Sequence, residues 1–168
     1  MDKSVTESIL AVCNALNKHN VEYMIVGGTA VALHGYFRWS YEGPGNKAEK
    51  YDLDIWYNPT YKNYFKLLDG LEEMGQDVSE FRAEQSPNPR SSFFKLEMER
   101  FALDLLPELK GLTKFRLSFK TKEVVSFNGI EIFVIGFEDL IKDKEAGARP
   151  KDLIDIKRLI EKRNTGSD

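Results

Sequence analysis

Near the N-terminus, Ile9, Leu10, Cys13 and Leu16 recur at helical spacing and predict a first helix running to about His19, with Ser4 and Glu7 in the form of a capping box. Glu22 to Val26 is a short apolar run of strand type. Gly27-Gly28 turns the chain, and Thr29 to His34 predicts a short helix stopped by Gly35. Periodicity is then lost over 36–50, where Gly43-Pro44-Gly45-Asn46 has the composition of a mobile surface loop. Alternation returns at Tyr51 to Tyr57, placing Tyr51, Leu53, Ile55 and Tyr57 on one face and Asp52, Asp54 and Trp56 on the other. Pro59 opens a helical stretch that carries Tyr61, Tyr64, Phe65, Leu68 and Leu71 at helical intervals up to Gly75. Glu80 to Arg90 is polar and broken by proline. Phe93 to Glu99 and Phe101 to Leu106 read as strands, and Val124 to Phe127 and Ile130 to Ile135 flank the hairpin signal Asn128-Gly129. The second half therefore reads as largely β. Two helices close it, Phe137 to Lys144 and Lys151 to Lys162, the second with an apolar stripe of Leu153, Ile156, Leu159 and Ile160.

The chain has 168 residues, 42% of them hydrophobic, with no repeat or low-complexity tract, so a single domain over 1–168 is expected, with 36–50 as a loop insertion. A net charge of -3 gives no general attraction to nucleic acid, although a local basic patch remains open. The single cysteine, Cys13, is expected as a buried thiol. No long apolar run is present, so the expectation is a cytoplasmic protein without membrane association.

Two carboxylates two residues apart on one strand face, Asp52 and Asp54, project side by side, as a magnesium site with hard oxygen ligands requires. The same Asp-x-Asp pattern also occurs on solvated strand faces. Leu53 and Ile55 imply a strand packed on a core, where adjacent charges call for a compensating cation. Gly27-Gly28 between a strand and a helix could bring backbone N–H groups to a phosphate, with Thr29 adding a hydroxyl; two glycines equally make a tight turn.

With Gly27-Gly28-Thr29-Ala30 followed by Asp52-Leu53-Asp54, the sequence resembles the nucleotidyltransferase superfamily of polymerase-beta-like fold. The resemblance implies an α+β fold, a mixed twisted β-sheet flanked by helices with further C-terminal helices. It also implies a third carboxylate from a later strand, for which Asp104 in Phe101-Ala-Leu-Asp-Leu-Leu106 is the candidate. The stretch from Asp139 through Asp155 is similar to the C-terminal part of small stand-alone, toxin-like and antibiotic-modifying members. By that likeness Lys144 meets the triphosphate, while Arg149, Lys151 and Asp152 shape the turn or cap the last helix. One departure is the spacing: twenty-three residues separate Gly28 from Asp52, about twice the family's compact signature. The extra length lies in 36–50, where Tyr36, Arg38, Trp39 and Tyr41 either recognise an acceptor or pack the loop down.

The implied activity moves an NMP group, with AMP the expected one, from an NTP to a hydroxyl-bearing acceptor and releases pyrophosphate. Asp52 and Asp54 would bind both metals of a two-metal Mg²⁺ (or Mn²⁺) site, and Asp104 would hold the catalytic one and serve as general base. Two alternatives stand beside this: a nucleotide-binding protein without turnover, and the toxin of a toxin-antitoxin pair acting on tRNA or protein. The acceptor is open among a small molecule, tRNA and protein, and a homodimer or an antitoxin partner is compatible with each. His34 has no second His or Cys at metal-site spacing and reads as structural.

Overall fold

The computed structural model describes residues 3–35 and 51–166, and the expectations placed on 36–50 lie outside them. Six strands form one sheet: β1 (Tyr23–Ile25), β2 (Tyr51–Tyr57), β3 (Phe94–Glu97), β4 (Phe101–Leu106), β5 (Glu123–Phe127) and β6 (Ile130–Val134), in the order β3-β4-β2-β1-β6-β5. β2 runs parallel to β4 and antiparallel to β1, β1 runs parallel to β6, and the two outer pairs are antiparallel hairpins. Asn128 and Gly129 both take positive φ at the tip of the β5–β6 hairpin, as the Asn-Gly pair predicts.

Helices α1 (Lys3–Lys18), α2 (Gly27–Leu33), α3 (Tyr61–Glu73), α4 (Ser79–Ala83), α5 (Phe115–Lys120), α6 (Phe137–Gly147) and α7 (Pro150–Thr165) surround the sheet. Leu16 of α1 and Tyr64, Leu67, Leu68 and Leu71 of α3 are buried with the Leu53, Ile55 and Tyr57 face of β2 in the main core. Cys13 is fully buried there, and burial, partly offset by its hydrogen bond with Tyr23, pushes its thiol up to about 11. Thr60 caps α3 by accepting from the Asn63 backbone N–H. Among the described residues no helix is long and apolar enough to cross a membrane.

Several expectations are corrected. Ser4 lies within α1 rather than before it. The two glycines are not a loop ahead of α2; they are its first residues. α4 and α5 arise where no element was expected, α5 within the half that reads as largely β. α5 is amphipathic over only six residues, with Phe115 buried on the far face of the sheet, where its ring meets that of Trp56 edge-on at 5.2 Å. This contact explains why Trp56 is buried although it shares a strand face with Asp52 and Asp54. The expected apolar stripe of α7 is also wrong in part. Leu153 and Ile160 are exposed, and the buried face carries Asp152, Asp155 and Leu159.

Candidate functional site

The parallel register of β2 and β4 sets Asp52 opposite Ala102 and Asp54 opposite Asp104, while the antiparallel β3 sets Lys95 opposite Asp104 and Glu97 opposite Ala102. Directly paired residues share a sheet face, so Lys95, Asp104 and Asp54 form one row across three strands. On its other side Asp54 meets the start of α2: the Val26 N–H donates to the Asp54 carbonyl at 2.9 Å. Gly27 follows at φ +63°, and a Cβ on it would collide with the Asp54 carboxylate. Glycine is therefore required at 27 twice over, by backbone conformation and by close approach. Gly28 has open space around the position a Cβ would take.

The electrostatics of the row follow from its crowding. Burial first, then the nearby Asp104 and Asp52, raise the Asp54 carboxyl to about 6, with Lys144 and Lys151 offsetting part of the rise. Burial also raises Asp104; Lys95 opposes the shift, and Asp52 and Glu97 reinforce it. Asp104 Oδ1 is buried without a hydrogen-bond partner. Such an atom is costly unless something outside the chain satisfies it.

The cation side comes from the α6–α7 elbow. Lys144, only 4% exposed in its side chain, donates to Asp152 Oδ1 at 3.1 Å and Asp155 Oδ2 at 2.9 Å. Arg149 reaches Asp152 through Nε at 2.7 Å and through its backbone N–H at 3.1 Å, closing a reciprocal cap on α7. Burial would raise the Asp152 carboxyl, but the hydrogen bonds from Arg149 and Lys144 outweigh it and bring it down to about 2. Ala148, at φ +49°, makes the bend between the helices.

Sequence reasoning placed seven residues at the site, and the structure distributes them unevenly. Asp54, Asp104 and Gly27 come together, with Asp52 one step along the same face and exposed. Thr29 is not open to a phosphate: it is buried, with its hydroxyl bonded to the Tyr51 hydroxyl and directed at the Asp52 carbonyl, 3.4 Å away. It ties α2 to β2. Lys144 likewise is spent on two buried carboxylates and acts on Asp54 only through space. Lys95 and Glu97 were missed, because only the register of β3 against β4 reveals that they flank Asp104. Among the described residues no group of three or more His, Cys, Asp or Glu side chains is placed to hold a metal ion, so the expected triad is not drawn together. The donor set nonetheless fits a hard cation. Magnesium takes one or two carboxylates and completes its shell with water and substrate phosphate, and the orphaned oxygen of Asp104 beside the raised Asp54 carboxyl is the local imbalance a cation would relieve.

Comparison with solved structures agrees with the topology. The antibiotic-resistance factor ANT(2'')-Ia superposes with a TM-score of 0.56 at 18% identity, over 95% of this chain and 83% of that one. A candidate nucleotidyltransferase from Thermotoga maritima gives 0.55 at 18% identity over 96% of both chains. An antigenic nucleotidyltransferase-like protein from Paracoccidioides brasiliensis gives 0.53 at 15% identity, over 96% of this chain and 78% of that one. No family model and no curated protein sequence matches. The chain has the nucleotidyltransferase fold of polymerase-beta-like type.

Proposed function

We propose that the protein is a metal-dependent nucleotidyltransferase that moves an NMP group, AMP in the first instance, from an NTP to an acceptor hydroxyl. The observation that carries this reading is the Asp54–Asp104 rung, with its orphaned carboxylate oxygen, set against Gly27, where a Cβ would meet the Asp54 carboxylate. Asp52 and Asp54 would hold Mg²⁺ or Mn²⁺, with Asp104 on the catalytic ion, and the metal would supply charge neutralisation for the triphosphate and acidify the acceptor. Gly28, with open space where a Cβ would stand, would leave room for the nucleotide's phosphates, while Gly27 lets α2 approach the Asp54 carboxylate. The acceptor oxygen bonds to the α-phosphorus, the bond to the β-phosphate bridging oxygen breaks, and pyrophosphate leaves with that oxygen. The acceptor proton passes to Asp104, whose carboxyl burial holds above the ordinary carboxylate range, in the direction a general base needs.

The absence of a drawn-together metal cluster among the described residues favours a second reading, a nucleotide-binding protein without turnover. Incubation with α-³²P-labelled NTPs, Mg²⁺ and separate pools of small molecules, tRNA and protein distinguishes the two. Labelled acceptor formed by wild type and lost in Asp104→Asn supports transfer; nucleotide binding with no label in any pool supports the second reading.

A further inference from the structure

His34 closes α2 with a side chain only 6% exposed. Its Nε2 lies 2.7 Å from the Ile135 carbonyl. A carbonyl only accepts, so Nε2 carries a proton whatever the charge of the ring. Nδ1 faces the Glu123 carboxylate at 3.6 Å. In the neutral ring this nitrogen is a bare acceptor, and two acceptors then oppose each other with no proton between them. Protonation turns the same pair into a charge-assisted N–H···O contact.

The pair joins two separate parts of the fold. Glu123 opens β5, the strand at the edge of the sheet, in which no residue is fully buried. It stands opposite Val134, one residue before the Ile135 carbonyl that holds the other side of the ring. α2 in turn begins at Gly27, which closes on the Asp54 carboxylate. A contact at His34 therefore steadies this helix from the end remote from the carboxylates.

The charges around the ring come from three elements besides α2, which has no other titratable side chain. β5 presents Glu123. α6 presents the Phe137 ring, edge-on to the imidazole at 5.9 Å, and Glu138, which holds Arg163. α7 presents Lys162 and Arg163 to the cavity of about 370 Å³ that His34 and Glu123 also line. Lys162 donates to the Gly35 carbonyl, and Arg163 lies over the Phe137 ring at 4.4 Å. Both cations oppose a charge on the ring, and Glu123 is the carboxylate placed to balance it.

We infer that His34 and Glu123 form a proton-operated latch. Below neutral pH the imidazolium bonds Glu123 and fastens the end of α2 to the edge strand; above it the two acceptors release each other. The latch does not depend on the transfer reading.

Two measurements test it on the whole chain, without nucleotide and with EDTA present. Nitrogen-15 NMR reads the two ring nitrogens; the chain's other histidine is His19, so the His34 signals are those lost in His34→Gln. At about pH 8 His34 should show a protonated Nε2 and a bare Nδ1, and at about pH 5.5 both nitrogens protonated. Amide exchange then reads the fastening, at Val125 to Phe127 and at His34 and Gly35, whose N–H groups donate to the Ala30 and Ala32 carbonyls at 2.9 Å. Other carboxyls, Asp54 among them, titrate over the same interval, so wild type is compared with Glu123→Gln at each pH. The Glu123 side chain is half-exposed, and glutamine there both donates and accepts but carries no charge. Wild type should protect these amides about fivefold better than the variant at the lower pH and no better at the higher. A bare Nδ1 at pH 5.5, a proton on Nδ1 rather than Nε2 at pH 8, or a wild-type advantage that is absent or the same at both pH values overturns the inference.

Discussion

Asp54 and Asp104 occupy the same rung of a parallel strand pair, so two carboxylates from separate parts of the chain face each other on one side of the sheet. Their proximity is unfavourable in the protein alone. Burial and mutual repulsion put the Asp54 carboxyl at about 6 in the folded state against 3.8 as its ordinary value. Between those values the folded protein binds a proton that the unfolded chain does not, so this group's contribution to stability falls as pH rises from 4 toward 6 and stays low above. Asp54→Asn should therefore stabilise the metal-free protein by about 1–3 kcal/mol at pH 7 and by little near pH 4. Urea melts in EDTA at the two pH values measure this; an unchanged or lowered midpoint at pH 7 would show that the charge is already compensated.

Adjacent glycines should respond oppositely. Gly27→Ala forces a Cβ onto the Asp54 carboxylate from a left-handed backbone position, whereas Gly28→Ala meets open space. The first should cost about 1–3 kcal/mol or more and the second well under 1. Equal losses would mean that the close approach of α2 to β2 is not as described.

Fold and site were unequally legible in the sequence. Strong signals carried through: alternation in β2, the apolar run of β4, the Asn128-Gly129 turn, and the helical spacing of α1 and α3. α5 was not legible, since six residues are too few to show a period and its only fully buried residues are Phe115 and Ser118. The α7 stripe misled because hydrophobicity marks a buried face only when no buried ion takes its place; here Asp152 and Asp155 are inside because Lys144 meets them. The Asp52–Asp54 pair could be read from alternation alone, and Asp104 from its resemblance. Lys95 and Glu97 could not be found, because strand register is a tertiary property.

The buried elbow makes its own prediction. Lys144→Met would take the buried cation from Asp155 and leave Asp152 to Arg149, and should cost about 3–5 kcal/mol, part of it recovered by adding Asp155→Leu. Asp152, held down at about 2, contributes stability above its unfolded value near 3.8 and loses it as pH falls toward 2. Acid titration of wild type and Asp152→Asn by circular dichroism should show wild type losing its advantage over that interval. Parallel acid profiles would contradict the pairing.

Cys13 should be inert toward thiol reagents in the folded protein at pH 8, because its thiol is buried and held at about 11. Labelling should appear only with unfolding, at a rate that follows urea concentration. Fast labelling under native conditions would show that α1 is not packed as described.

The central claim is nucleotide binding that depends on the carboxylate row. Isothermal titration of the protein with each NTP in the presence of Mg²⁺ tests it most directly, alongside Asp52→Asn/Asp54→Asn. Metal-dependent binding of at least one NTP, abolished in the double variant, is the predicted result; binding of none, or binding indifferent to both the metal and the two carboxylates, would contradict the account.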